Sequence, residues 1–330
     1  MKEADIRSPE LLDRYLSLSA QDAEVFFRDR SSFADILCPG CGCAGSPEAF
    51  TKNDFRYVEC EACGSLFVSP RPPREALDRY YSASPSASFW ADTFFPATAE
   101  NRRHNIFVPR VEQVQLLLAE RGVAVSNIID VGAGYGIFLE EFVKRHPGIR
   151  AAAVEPGRKL ADVCRSKGFE TLEQPVEEAT SWSGRADLVT CFEVLEHVHS
   201  LPEFVASLGR LARHGGCVLA TGLGVDGFDI QVLWNRSKSV SPPHHLNFLS
   251  VSGFTQLFER LGFTDVEVMT PGRLDVDIVA NATAVGEAAP GVSRFMRLLQ
   301  KRGETAQAEL QQFLVRHRLS SHTWILARKA

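Results

Sequence analysis

Asp130-Val131-Gly132-Ala133-Gly134-Tyr135-Gly136 decides the reading of this chain. The apolar run Asn127-Ile128-Ile129 precedes it and reads as a strand. Ile137-Phe138-Leu139-Glu140-Glu141-Phe142-Val143 follows with helical spacing. A glycine-rich turn between a strand and a helix brings a ligand against bare backbone and helix N–H groups. Asp130 sets the sign of that ligand: a carboxylate at the turn repels a dinucleotide pyrophosphate and welcomes a ligand carrying an ammonium and a sulfonium. A dinucleotide fingerprint also needs its third glycine one place later, and position 137 is Ile.

Outward from the turn, strand-like runs at 128–131, 151–155, 188–192, 217–221 and 266–270 alternate with helical runs, among them 158–167, 201–211 and 252–261. Such alternation implies an α/β fold, a Rossmann-like parallel sheet with helices on both faces. The segment 322–327 reads as a strand that returns to the sheet. Helical spacing runs over 292–317 with a break at Gly303, over 101–121 with Pro109 starting or kinking it, and over 8–30, where Ser8 suits the cap and Pro9 the first helical position.

The 330 residues carry a formal charge of −5 and 45% hydrophobic residues. That balance argues against a sequence-independent grip on nucleic acid, which rests on Lys and Arg. No apolar stretch approaches the ~20 residues of a membrane span. The N-terminus is acidic and lacks the apolar core of a signal peptide, so a cytoplasmic protein without membrane insertion is expected.

Five of the eight cysteines fall in one short segment. Cys38-x2-Cys41 and Cys60-x2-Cys63 are each followed by glycine and stand eighteen residues apart. Thiolates at that spacing converge on one tetrahedral Zn²⁺. The expected ligands are Cys38, Cys41, Cys60 and Cys63, with Cys43 as a substitute; disulfides, free thiols or a rubredoxin-type iron are the other readings of the pattern. Acids balance bases between positions 36 and 75, so this ribbon has no phosphate-binding face and suits a structural or substrate-covering role.

Glu155 ends the next strand, about twenty residues beyond the glycines, where an acid accepts hydrogen bonds from both hydroxyls of a ribose. Asp187-Leu188-Val189-Thr190-Cys191-Phe192-Glu193-Val194-Leu195-Glu196-His197 is a further strand with an acidic end. Together these stretches resemble the class I S-adenosylmethionine-dependent methyltransferases, over roughly residues 101–270 plus the last strand. Asp130–Gly136 is similar to their first motif, Glu155 to their ribose-binding acid, and Phe192–His197 to a motif of the branch holding ubiquinone-biosynthesis and sugar methyltransferases. The resemblance implies S-adenosylmethionine as cofactor, bound by Asp130, Gly132, Ala133, Gly134, Tyr135, Glu155, Pro156, Val176, Phe192 and Glu193.

Ser241-Pro242-Pro243-His244-His245-Leu246-Asn247-Phe248-Leu249-Ser250 resembles a segment of sugar C-methyltransferases, which also begin with a paired Cys-x2-Cys unit. By that match His245 holds their histidine position, and His244 stands where they have an acid. A hydroxyl acceptor needs its proton removed, and the candidate bases are His245, then His244 and His197. The expected organisation is a helical segment (1–34), a zinc ribbon (35–70), a helical linker or cap (71–122) and a methyltransferase domain (123–330). The implied acceptor is a small molecule, a sugar hydroxyl or carbon of a nucleotide-sugar or surface glycan first. A zinc-ribbon rRNA or tRNA methyltransferase and a non-catalytic ligand-binding module are the alternatives, and the oligomeric state is left open.

Overall fold

A computed structural model describes residues 2–330. Eleven strands run in chain order: β1 (Glu48–Lys52), β2 (Phe55–Glu59), β3 (Leu66–Val68), β4 (Asn127–Val131), β5 (Arg150–Val154), β6 (Glu170–Leu172), β7 (Ala186–Cys191), β8 (Ala212–Leu223), β9 (Asn247–Phe248), β10 (Phe263–Met269) and β11 (His322–Lys329). The large sheet has the order β10-β11-β8-β7-β4-β5-β6. Five neighbouring strands, β6-β5-β4-β7-β8, are parallel, and β11 lies antiparallel between β8 and β10.

The strand period of two places Ile129 and Val131 of β4, Val189 and Cys191 of β7, and Val218 and Ala220 of β8 in one apolar layer. Ile128, Leu188, Cys217 and Leu219 face the other layer, under Val111, Val114 and Leu118 of helix Val108–Glu120. Both faces are covered by helices, which is what a parallel sheet requires. The fold class expected from the sequence is the one observed.

The small sheet has the order β1-β2-β3-β9. Its fourth strand is distant in sequence: Leu66 and Phe67 of β3 pair with Phe248 and Asn247 of β9, next to the two histidines. The ribbon packs tightly on helix Val251–Arg260. A Cβ on Gly40 would lie 3.0 Å from the Gly253 Cα, and one on Gly253 would overlap the Ser65 hydroxyl. Ser250 donates its backbone N–H to Ser65 Oγ at 3.1 Å, and Arg260 donates to the Pro39 carbonyl at 3.2 Å.

Helices Asp275–Ala284, Pro290–Lys301 and Glu304–Arg316 form an insert between β10 and β11. It packs through Val276, Val279, Met296 and Leu314 on Leu233. Asp275 accepts the Ser321 backbone N–H at 2.8 Å and the Gln311 amide at 2.7 Å. Beside it Asp229 is fully buried with neither carboxylate oxygen hydrogen-bonded, and burial, then the neighbouring Asp275, pushes its carboxyl up to about 8.

Several local expectations change. The first helix is Pro9–Phe26, and Ser8 turns its hydroxyl to Glu10 instead of capping. The run 101–121 divides into Phe95–Arg102, a π-helical turn Arg103–Phe107 and Val108–Glu120, with Pro109 in the first turn of the last. Gly303, at φ +90, separates the last two helices as its break predicts.

Candidate active site and cysteine centre

The turn after β4 is built from three left-handed glycines, Gly132, Gly134 and Gly136, with φ of +69, +54 and +63. These values disfavour residues with a Cβ. A Cβ at Gly132 would also press on Val194 Cγ2 at 2.7 Å, whereas one at Gly134 would meet nothing within 4 Å. The turn therefore packs on one flank and is open at its middle residue. Gly136 leads directly into helix Ile137–Arg145, whose N-terminus points its N–H groups toward the turn.

Two buried carboxylates lie against this turn. Asp130 accepts the Thr190 hydroxyl at 2.7 Å; burial pushes its carboxyl up to about 7, opposed by Thr190 and Arg110. Glu155 accepts the Gly134 N–H at 2.8 Å and the Gly157 N–H at 2.9 Å, one on each oxygen, and burial again raises its carboxyl. Each oxygen keeps a second lone pair for a ligand hydroxyl. The turn thus combines open glycine backbone with two buried carboxyl groups, and these residues fit a cationic nucleoside ligand.

A lid of aromatic side chains closes over the turn. Tyr135 stacks on Phe95 with ring centres 4.5 Å apart and donates its hydroxyl to the Ala91 carbonyl at 2.6 Å. Trp90 stacks on Phe94 at 4.5 Å and tilts against Tyr15. Arg103 pins the lid to helix Ile137–Arg145 through Glu140 and Glu141.

Beyond β7 the chain turns sharply at Glu193, φ +56. Its carboxylate accepts from Arg110 at 2.9 Å and from the Thr221 hydroxyl at 2.7 Å, with His322 at 3.4 Å. Burial opposes the charge, but His322, Arg110 and Thr221 hold this carboxyl well below the usual range. The Arg110 guanidinium also lies 4.7 Å from the Phe192 ring centre. Val176 is buried in a short turn, and Pro156 is exposed at the rim.

The three candidate histidines come together. His197 and His245 have ring centres 4.7 Å apart, and His197 and His244 are 6.3 Å apart. His197 Nδ1 bonds the His244 carbonyl at 3.0 Å, and His245 Nδ1 bonds the Ser239 carbonyl. A carbonyl only accepts, so both Nδ1 atoms carry the hydrogen and both Nε2 atoms present lone pairs. Burial pushes His197 down to about 3 and His245 down to about 4, so both rings are neutral at neutral pH. His244 is different: Tyr80 and Ser86 engage its Nε2, Tyr15 packs on its ring, and burial holds it well below the ordinary histidine value. It ties the loop to the N-terminal helices.

Glu196, His197 and His245 place ligand atoms within 4.8 Å of one another, a set that could hold a divalent cation. Glu196 Oε2 is buried without a partner, and burial, then Glu193, raises its carboxyl. Sequence reasoning missed Arg110, Thr221 and His322 as parts of the site, and it quoted Glu196 within the motif Phe192–His197 without giving it a role. Arg110 and His322 come from opposite ends of the domain, and only the folded sheet brings them to Glu193.

Cys38, Cys41, Cys60 and Cys63 converge with all four sulfurs within 4.8 Å. The Cys38–Cys63 and Cys41–Cys60 Sγ distances are 3.6 and 3.5 Å. A tetrahedron with bonds of ~2.3 Å has edges of about 3.8 Å, so the four sulfurs could take one ion with small adjustment. The Gly42 and Gly64 N–H groups close the two knuckles onto the Cys38 and Cys60 carbonyls at 2.9 and 2.8 Å. Cys43 is exposed outside the cluster, and all eight cysteines are unpaired.

Comparison with known proteins extends this geometry. The ubiquinone biosynthesis O-methyltransferase of Methylococcus capsulatus is 32% identical over 118 residues, 34% of this chain and 49% of that protein. The Bordetella avium protein of the same name is 30% identical over 154 residues, 44% of this chain and 60% of that one. The chain thus spans about half the length of the curated relatives it matches. Among solved structures, the plantazolicin methyltransferase BpumL in complex with SAH superposes with a TM-score of 0.50 at 13% identity, covering 77% of this chain and 94% of that one; the likeness is one of fold. A family model described as a methyltransferase domain matches residues 99–268, from the lid helix through β10 and just over half of the chain, and the chain belongs to that family.

Proposed function

We propose that the chain transfers the methyl group of S-adenosylmethionine to a hydroxyl of a small-molecule acceptor. The observation that carries this reading is the pair of buried carboxylates, Asp130 and Glu155, set against a glycine turn whose middle residue is open. When bound, S-adenosylmethionine supplies an activated, cationic methyl group. Glu155 accepts the ribose hydroxyls with the lone pairs its backbone bonds leave free. Asp130, with Phe192 and Glu193, faces the methionine end, where an ammonium returns Asp130 to its ionised form. The backbone of Gly132, Ala133, Gly134 and Tyr135 lines the ligand, Val176 and Pro156 flank the adenosine, and the Tyr135–Phe95 stack excludes water.

On the acceptor side His245 Nε2 takes the hydroxyl proton, with His197 beside it. Both are unprotonated at Nε2 at neutral pH; the burial that lowers them also weakens them as bases, so alignment of the hydroxyl with the activated methyl group supplies most of the acceleration. An oxygen acceptor is favoured over carbon for two reasons. The matched relatives are named O-methyltransferases, and His244 occupies the place where sugar C-methyltransferases carry an acid. A sugar or nucleotide-sugar is the first acceptor class to test. Cys38, Cys41, Cys60 and Cys63 hold one structural Zn²⁺, which fixes the ribbon against the histidine loop.

Calorimetry with S-adenosylhomocysteine and with NAD tests the cofactor, and transfer of a labelled methyl group to hydroxylated small molecules and to RNA tests the acceptor. S-adenosylhomocysteine binding without NAD binding, and label on a small hydroxyl compound, is the expected result. NAD binding alone overturns the reading, and label on RNA alone reassigns the acceptor. His245→Ala is expected to lower turnover about 100-fold or more while leaving S-adenosylhomocysteine affinity unchanged; equal turnover removes it as the base.

A further inference from the structure

The insert between β10 and β11 presents a surface that methyl transfer does not use. Helix Pro290–Lys301 buries Ser293 and Met296 against the neighbouring helices. Its opposite face exposes Phe295 and Leu298, each 51% accessible, and Gly291, Arg294, Arg297 and Lys301 complete the lining of a shallow open groove. Arg302 follows at the helix end, so positions 290–302 hold four cations and no acid, in a chain whose net charge is −5. Among the described residues none of the four has a carboxylate within ion-pair distance; the next acid along the chain, Glu304, faces Lys2.

Apolar side chains flanked by unpaired cations on one helix face are the pattern of an element that lies in a lipid–water interface. The charge selects the occupant. A second copy of the chain related by a two-fold axis would set this cationic face, which has no acid, against itself, which is repulsive. Nucleic acid would use the cations but leave Phe295 and Leu298 in water. An anionic bilayer satisfies both: its headgroups neutralise the cations, and the rings and methyls enter the headgroup boundary. β10 runs parallel to β8, so its insert leaves the sheet at the same carboxyl edge as the glycine turn.

We propose that the exposed face of helix Pro290–Lys301 is a peripheral docking surface for membranes rich in anionic lipid. It holds the carboxyl edge of the sheet toward the bilayer. The inference is independent of the methyl-transfer reading, since none of its residues belongs to that site.

Co-sedimentation of the full chain with phosphatidylcholine vesicles, with and without phosphatidylglycerol, tests it. Binding should appear with the anionic vesicles only and weaken as salt rises. Arg294→Gln with Arg297→Gln should weaken it about 30-fold, since each basic residue at such a surface is worth about fivefold. Phe295→Ala with Leu298→Ala should weaken it by at least about 10-fold. All four positions are exposed, and circular dichroism and thermal melting should match the unaltered chain. The proposal is overturned by no sedimentation with either vesicle, by equal binding to both, or by variants that bind as well as the parent. Retention of RNA, or a dimer that the variants abolish, with no vesicle binding, also overturns it.

Discussion

Glu155→Gln separates cofactor binding from catalysis and from folding. In the folded chain the two carboxylate oxygens of Glu155 accept the N–H groups of Gly134 and Gly157 at 2.8 and 2.9 Å. An amide offers one acceptor oxygen, so its NH₂ end must face one of those N–H donors. Losing one hydrogen bond to a charged group costs about 1.5–3 kcal/mol. The carboxylate, however, is buried and its carboxyl is pushed up by that burial, so removing the charge recovers part of the loss. Folding stability should therefore change little. Binding has no such compensation, because the amide also loses an acceptor for a ribose hydroxyl. S-adenosylhomocysteine affinity should fall about 10- to 150-fold, the same 1.5–3 kcal/mol expressed as a ratio. At saturating donor the turnover should stay within a few-fold, since Glu155 is placed at the ribose and not at the methyl group. Calorimetry, a melting curve and kcat against KM give the three readouts. Unchanged affinity in a folded variant would refute the placement of the nucleoside on this strand end.

Three further outcomes follow from the buried groups and the cysteine cluster. Asp130, pushed up to about 7, must lose its proton to meet a cationic ligand, so donor affinity should rise with pH through neutrality and binding should release protons; calorimetric heats that are independent of buffer ionisation enthalpy would contradict this. Asp229 has a folded-state carboxyl raised to about 8, above its unfolded value, so its contribution is full in acid and is lost as pH rises toward 8. Denaturant titrations should show Asp229→Asn flattening this decline by up to about 1.4 kcal/mol per pH unit, and parallel curves for parent and variant would count against it. Cys60→Ser should reduce bound zinc from about one ion per chain to near none, and because β3 pairs with β9 it should also lower turnover; metal retained at full stoichiometry would contradict the four-thiolate assignment.

The strands with the clearest two-residue alternation or continuous apolar runs, β4, β5, β7 and β8, were legible in the sequence, as was the glycine break at Gly303. β6 was not, because Glu170–Leu172 is one exposed and two half-buried residues at the sheet edge and carries no apolar period. β9 was hidden for a different reason: two residues have no period, and Asn247–Phe248 is a strand only because the ribbon edge is there to pair with it. The acids Asp130, Glu155 and Glu193 were readable because each lies within one residue of the carboxyl end of a predicted strand. Their partners were not. Arg110 looked like one more polar position on an amphipathic helix, and His322 like the start of a terminal strand; a contact between segments so distant leaves no local trace. The histidine pair shows the limit most plainly. Adjacent in sequence, His244 and His245 point to different partners, Tyr80 for one and the Ser239 carbonyl for the other.

The strand shared between the cysteine ribbon and the histidine loop sets an order of assembly. Leu66 waits for Phe248, more than half the chain later, before its sheet edge is covered. During synthesis the N-terminal unit emerges with β3 bare, and loop closure over that span is slow compared with local knuckle formation. With zinc bound as proposed, the knuckles would close early and leave only the β3 edge open to pairing with other nascent chains; without it, β1 to β3 would stay unfolded as well. Starving growing cells of zinc should accordingly raise the aggregated fraction of newly made protein more than that of protein already folded.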